Sequence, residues 1–389
     1  MNIVCTSLMD LEHDNNGVIS VARDLNRLLE CAGHNVRHVT PANSPEPSLL
    51  RAMLRRLHRM TGSPLAFLAV MRLNLRHMTA RMTEAGRCPD AIIAHDALSA
   101  GAALEAVKGR CPVLLFCHFG HKPWDEFADA GLVRSGSVAY KIVRHWMQGV
   151  LHSADVTLLA VSARNAALLQ QMIPNEIEHR IHVVYPGIEA SADQCRPKSS
   201  RQHRPTIVNV GRIERLKNQR IIPEIACELK HHLNVTCNFI LIGPQLDDEA
   251  ACIGARIAEL DVADMVTMTG PLERRDVLRA MAEADLYLHT SLVESFGMTL
   301  VEAMASGTPV MALEYEALHE ILTDTPEMII PADTVAADIA VKLAQLFADR
   351  QRLAALQVRQ QAVFAQRFSP DAFLAGVLGV LDATRQRSG

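Results

Sequence analysis

The chain has 389 residues, 49% of them apolar, 4% aromatic, and a formal net charge of -4. That length outgrows a single core and fits two domains, the charge excludes a general nucleic-acid binder, and the scarcity of aromatics excludes a sugar site built on stacked rings. Nine cysteines, an odd number with no Cys-x-x-Cys pair, fit a reducing cytoplasm rather than a disulfide framework.

Asn2–Thr6 is short and apolar and predicts a first core strand. It lacks the basic start and apolar run of a signal peptide. Residues 18–32 carry Ile19, Ala22, Leu25 and Leu29 at helical spacing and stop at Gly33. Gly17, between this strand and this helix, allows a backbone to approach a phosphate closely; a plain Asn-Gly turn is the alternative. Asn35–Val39 is again strand-like. The segment 47–83 holds seven arginines and no acid. Its Leu49, Leu50, Met53, Leu54, Leu57 and Met60 interleave with Arg51, Arg55, Arg56 and Arg59 at helical spacing, and a second part runs over 65–82. A basic amphipathic helix can rest on an anionic membrane; a helix pair packed on the first domain with a solvated basic face is the alternative. No uncharged apolar run reaches the roughly 18 residues of a membrane span.

Ala91–Ala94, Val113–Cys117 and 156–161 are further short apolar runs, so the first half alternates strand and helix. Such alternation predicts a parallel sheet with helices on both faces. His118 follows one of these strands, where a ring can hydrogen-bond a sugar; His121 is a weaker candidate. A polar stretch over 189–205, rich in Ser, Arg, Gln and Pro, predicts a linker. The pattern then restarts with Thr206–Val210, Asn238–Ile242, 266–269, Leu286–His289 and 310–312. The fold class expected is α/β, two doubly wound domains over 1–190 and 191–369 with a ligand cleft beyond the strand C-termini.

Four stretches of the second half matter for chemistry. Gly211-Arg212-Ile213-Glu214-Arg215-Leu216-Lys217-Asn218 leaves a strand with two cations, a planar fork and a point charge, both suited to a diphosphate. Ile242-Gly243-Pro244 and Gly270-Pro271-Leu272 end two further strands of this half. In Glu294-Ser295-Phe296-Gly297-Met298-Thr299-Leu300-Val301-Glu302 two carboxylates flank a strand-to-helix turn. Free N–H groups there suit an anion, while carboxylates suit hydroxyls. Phosphates in the middle and hydroxyls at both ends describe a nucleotide sugar.

The last stretch, with its continuation Ala303-Met304-Ala305-Ser306-Gly307-Thr308-Pro309-Val310, resembles the E-x7-E region of the retaining GT-B glycosyltransferases of family GT4. Gly211 to Asn218 is similar to the G-R-x4-K-N motif of that family. The resemblance implies a GT-B architecture whose last helix, from about Pro370 to 389, crosses back to the first domain after Arg367-Phe368-Ser369-Pro370. It implies transfer of a sugar from a nucleoside diphosphate donor, UDP before GDP, to an acceptor hydroxyl, with no metal and no resident cofactor. It makes Arg212 and Lys217 the diphosphate ligands, Glu294 the holder of the sugar hydroxyls and Glu302 that of the ribose. Phe296 and the N–H groups of Gly297, Met298 and Thr299 would meet sugar and phosphate, Pro271 or Leu272 would meet the base through backbone groups, and His118 would lie near the donor sugar. Asn16-Gly17 matches only in part the pair of glycines usual in the family. After Ala312 the family usually has a small Gly-containing loop before Glu320-Ile321; here Leu313-Glu314-Tyr315-Glu316-Ala317 is bulkier and more acidic. The acceptor expected is a glycan, a lipid-linked sugar or a small metabolite, and the place the cytoplasm or the inner face of the plasma membrane. An inactive nucleotide-sugar-binding subunit is the alternative.

Overall fold

In the computed structural model the described residues are 1–9, 17–41, 53, 56–57, 60, 63–83, 87–189, 204–245, 248–294 and 296–388. The expected linker, except its ends, and most of 47–62 lie outside them, as do Asn16 and Ser295. The chain forms two units, Met1–Gly187 with Phe373–Gly389, and Ile188–Ala372.

The first unit is built on six parallel strands in the order β2-β1-β3-β4-β5-β6. They are β1 (Asn2–Thr6), β2 (Asn35–Val39), β3 (Ala91–Ala94), β4 (Val113–Cys117), β5 (Val156–Ala160) and β6 (Ile181–Val183). β3, β4 and β5 are buried at every position, as expected of a sheet covered on both faces. One face packs on helices Pro64–Met82, Ala97–Val107 and Val138–Leu151 through Met71, Met78, Met82, Leu98 and Met147. Ser63 opens the first of these, its hydroxyl accepting from Ala66 N at 3.4 Å, with Pro64 in the first turn. The buried methionines of that helix are thereby part of the core, while Arg72 and Arg76 stay exposed.

Helix Pro370–Ser388 closes the chain. Its Phe373, Val377 and Leu381 are buried. Phe373 meets Phe116 edge-on at 5.9 Å, and Thr384 Oγ1 lies 3.3 Å from Thr157 Oγ1. The apolar spacing of four along this helix therefore faces the sheet of the first unit.

The second unit repeats the plan in the order β12-β11-β10-β7-β8-β9. These are β7 (Thr206–Val210), β8 (Asn238–Ile242), β9 (Val266–Gly270), β10 (Leu286–His289), β11 (Val310–Leu313) and β12 (Ile329–Ile330). The switch in strand order falls between β7 and β10, which pair directly. The exits of these two neighbours carry the charged residues singled out by the sequence. Two Rossmann-like parallel sheets and a long C-terminal helix make the architecture GT-B. Among the described residues, no helix is long and apolar enough to cross a membrane.

Candidate functional site

The exits of β7, β8 and β9 are laced together by backbone. Gly211 N donates to Ile242 O at 2.9 Å, Ile213 N to Pro244 O at 2.9 Å, and Gly243 N to Gly270 O at 3.0 Å. Gly243 has φ +153°, and a Cβ there would stand 1.9 Å from Gly211 O. Only glycine lets the two loops approach so closely. This stitching fixes Arg212 on the first exit and sets Pro271 and Leu272 just past the third. Arg212 is largely exposed, its guanidinium 3.1 Å from Glu214 Oε1. Its carbonyl accepts from Gln219 Nε2 at 2.9 Å, so the loop backbone is held while the guanidinium lies at the surface.

A second set of bonds ties the β7 exit to the β10 exit. Thr290 Oγ1 donates to Lys217 O at 2.7 Å, and Leu292 N donates to Leu216 O at 3.0 Å. Lys217 Nζ thereby lies 2.6 Å from Glu294 Oε1, with both side chains mostly buried. His289, the last residue of β10, brings Nε2 to 3.4 Å from the same oxygen. Burial alone would raise the Glu294 carboxyl; His289 and Lys217 outweigh it and hold it down to about 2. Glu294 is therefore ionised at neutral pH, an acceptor of hydrogen bonds and a poor acid.

The turn after Glu294 contains Phe296 and Gly297 and starts helix Met298–Ala305. Gly297 has φ +107°, a conformation that favours glycine. Its carbonyl accepts from Leu300 and Val301 at 3.0 and 3.5 Å. The N–H groups of Met298 and Thr299 precede these bonds and, with the helix dipole, favour an anion. Glu302, one turn into the helix, is buried, and Arg274 reaches its Oε1 at 3.0 Å. Both carboxylates of the E-x7-E stretch thus carry a cationic partner: Lys217 for one, Arg274 for the other.

In the first unit His118 sits just past β4. Its Nε2 lies 3.2 Å from Nδ1 of His95, and both rings stack on or beside Phe116. Burial pushes His118 down to about 4. Burial, then His118 and His38, hold His95 well below its usual range. Both imidazoles are neutral at pH 7. The loop beyond is pinned: Gly120 N donates to Glu126 Oε1 at 2.8 Å, and Asn165 Nδ2 to Phe119 O at 2.7 Å. His121 is engaged elsewhere, 2.8 Å from Asp129 Oδ2. Gly17 begins helix Gly17–Cys31 and is exposed.

The sequence reading did not single out His95, Arg274, His289 or Tyr315. His289 ends β10, and His95 lies one residue past β3 as His118 lies one past β4, which was the available signal. Tyr315 was noted only as part of a bulky loop. Among the described residues no three His, Cys, Asp or Glu side chains gather as a metal set.

Residues 15–192 match the model of glycosyltransferase family 4, and residues 192–362 that of glycosyl transferases group 1. The chain belongs to the GT4 glycosyltransferases. This GT4 chain is 29% identical over 276 residues to D-inositol 3-phosphate glycosyltransferase of Nocardia farcinica, covering 59% of itself and 60% of that relative. It spans less than two thirds of the length of the curated relatives it matches. Among solved structures it resembles HepE of Anabaena in complex with UDP, with a TM-score of 0.68 at 19% identity over 98% of this chain and 100% of that one. It also resembles sucrose-phosphate synthase of Thermosynechococcus elongatus, with a TM-score of 0.70 at 18% identity over the full length of both. At those identities the likeness shows the GT-B fold.

Proposed function

We propose that this GT4 chain is a retaining glycosyltransferase that moves a sugar from a nucleoside diphosphate-sugar to an acceptor hydroxyl. The observation that carries the reading is the 2.6 Å contact of Lys217 with Glu294 beside the Gly297 turn. It puts a cation for phosphate, an ionised acceptor for hydroxyls and free helix N–H groups in one place. Lys217 and Arg212 hold the diphosphate. Glu294 takes the sugar hydroxyls and Glu302 the ribose hydroxyls, displacing Arg274. Gly297, Met298 and Thr299 meet sugar and phosphate beside Phe296, and Pro271 and Leu272 meet the base. For the first unit, Gly17 is proposed to let backbone approach a phosphate, and the neutral His118 to serve as a hydrogen-bond partner of a sugar. UDP is the preferred nucleotide, in keeping with the UDP bound to HepE.

In the reaction the bond from the anomeric carbon to the diphosphate oxygen breaks. The acceptor oxygen bonds to the same face of that carbon, and its proton passes to the leaving diphosphate. Arg212 and Lys217 stabilise the charge that develops there. Glu294, paired and strongly ionised, serves as an acceptor of hydroxyls rather than a covalent nucleophile. Lys217→Ala and Glu294→Gln are expected to lower turnover by at least about a hundredfold, given what loss of one preorganised charge costs, while the melting curve persists. Wild-type turnover by a folded Lys217→Ala variant contradicts the reading.

The acceptor side is proposed to serve glycan, glycolipid or small-glycoside assembly in the cytoplasm, with peripheral contact to anionic membrane through 47–83. Seven arginines without an acid over that segment support the contact, and Arg72 and Arg76 are exposed. Sedimentation with anionic vesicles, and not with zwitterionic ones, is the expected outcome; no sedimentation with either favours a soluble acceptor.

A further inference from the structure

His289 is 2% exposed and its Nε2 is buried without a hydrogen-bond partner among the described residues. That atom stands 3.4 Å from Glu294 Oε1, close but not in the direction of a hydrogen bond. A buried polar atom left unpaired is costly, and this one lies beside the carboxylate of the donor site. Its other nitrogen lies 3.4 Å from the Tyr287 hydroxyl, and the two rings stack at 6.1 Å. On the far side Tyr315 leans on the His289 ring, with centroids 5.8 Å apart. Tyr315 is buried, and its hydroxyl donates to Phe296 O at 2.9 Å. The same hydroxyl occupies the space beside Gly297, where a Cβ would stand 2.3 Å from it. Tyr315 and the Gly297 turn are thus fitted to each other. Tyr315 lies in the bulky loop where the family resemblance leads one to expect a small glycine-containing one.

The donor-site reading asks Lys217 to serve two anions. In the structure it pairs with Glu294; with donor bound it must also face the diphosphate. Glu294 then loses part of its cation while still largely buried, which is unfavourable unless another group turns to it. We propose that His289 and Tyr315 are positioning residues for Glu294, His289 donating from Nε2 to its carboxylate when Lys217 engages the diphosphate, and Tyr315 holding both the ring and the Phe296–Gly297 turn in register. This rests on the donor-site reading above. The pair would act on the sugar end of the donor and leave the nucleotide end alone.

The test is titration calorimetry on the full chain with UDP, UDP-glucose, GDP and GDP-mannose. The variants are His289→Leu, His289→Gln and Tyr315→Phe, with melting curves alongside. The wild type is expected to bind one sugar conjugate more tightly than its bare nucleotide. His289→Leu should lose about tenfold in affinity for the conjugate and stay within about twofold for the nucleotide. His289→Gln, which keeps an N–H donor, should recover most of the loss. Tyr315→Phe, which keeps the ring and the packing, should show a smaller loss of the same kind; it carries the test if His289→Leu does not fold. Variants that bind the conjugate as the wild type does overturn the proposal, and so does an equal loss for nucleotide and conjugate, which marks a merely structural role. A wild-type chain that binds none of the four probes, or gains nothing from the sugar, overturns the donor-site reading itself.

Discussion

Glu294 concentrates the electrostatics of the second unit. Its carboxyl is lowered from 4.5 to about 2 in the fold, so its contribution to stability is complete above pH 4.5 and is lost as pH falls through 2. His118 behaves with the opposite chemistry and the same sign. Burial lowers it from 6.5 to about 4, so the unfolded chain takes up the proton first, and stability present above pH 6.5 fades as pH falls through 4. Urea unfolding at stepped pH should separate the two. His118→Asn is expected to flatten the loss between pH 6.5 and 4, and Glu294→Gln that between 4.5 and 2, each by on the order of 1–3 kcal/mol. Variants that follow the wild-type curve in those windows contradict the assignment. At this scale the sequence showed the charge types, because Arg212, Lys217, Glu294 and Glu302 stand in marked turns. It could not show which ones touch. Lys217 and Glu294 meet because β7 and β10 are neighbours in the sheet, a pairing that no local spacing encodes. His289 was hidden for another reason: it ends the fully buried strand β10, where one histidine reads as core.

The elements themselves were largely legible. Continuous apolar runs of three to five residues became β3, β4, β8, β10 and β11, because parallel strands covered on both faces need no alternation. The first helix and the last follow their apolar spacing. β6 and β12 went unread, being only three and two residues long at the sheet edges. Turn chemistry was legible as composition but not as geometry. Gly243 looked like a strand end with a proline after it; the structure shows it as the point where two loop backbones nearly touch. Gly243→Ala is expected to destabilise the second unit by about 2 kcal/mol or more, since backbone rather than a flexible side chain must yield. Gly270→Ala, with no atom near its Cβ site, pays only for its φ of +74° and should cost less. Equal melting temperatures for the two variants would argue against the close approach.

For the whole molecule, the C-terminal helix is the feature that joins sequence to architecture. A chain ending at residue 369 lacks Phe373, Val377 and Leu381, all buried on the first unit. At about 1.5–3 kcal/mol for each large apolar side chain, the first unit should lose several kcal/mol. Calorimetry should then show an early transition that the full chain lacks; an unchanged first transition contradicts that role. The two-domain plan was visible because the βα alternation restarts near Thr206. The first half was harder to read for function, since His118 and Gly17 are single residues in ordinary settings, whereas the second half carries two extended motifs, at 211–218 and 294–302. The central claim is that the second unit binds a nucleoside diphosphate-sugar through Lys217 and Glu294. The most direct measurement is calorimetric titration of the wild type and Lys217→Ala with UDP and UDP-sugars, then with the GDP series. The account predicts selective binding of one series by the wild type and a loss of at least about tenfold in Lys217→Ala, as for a charge-assisted contact to phosphate. Equal binding by the two proteins, or no binding by either, would contradict it.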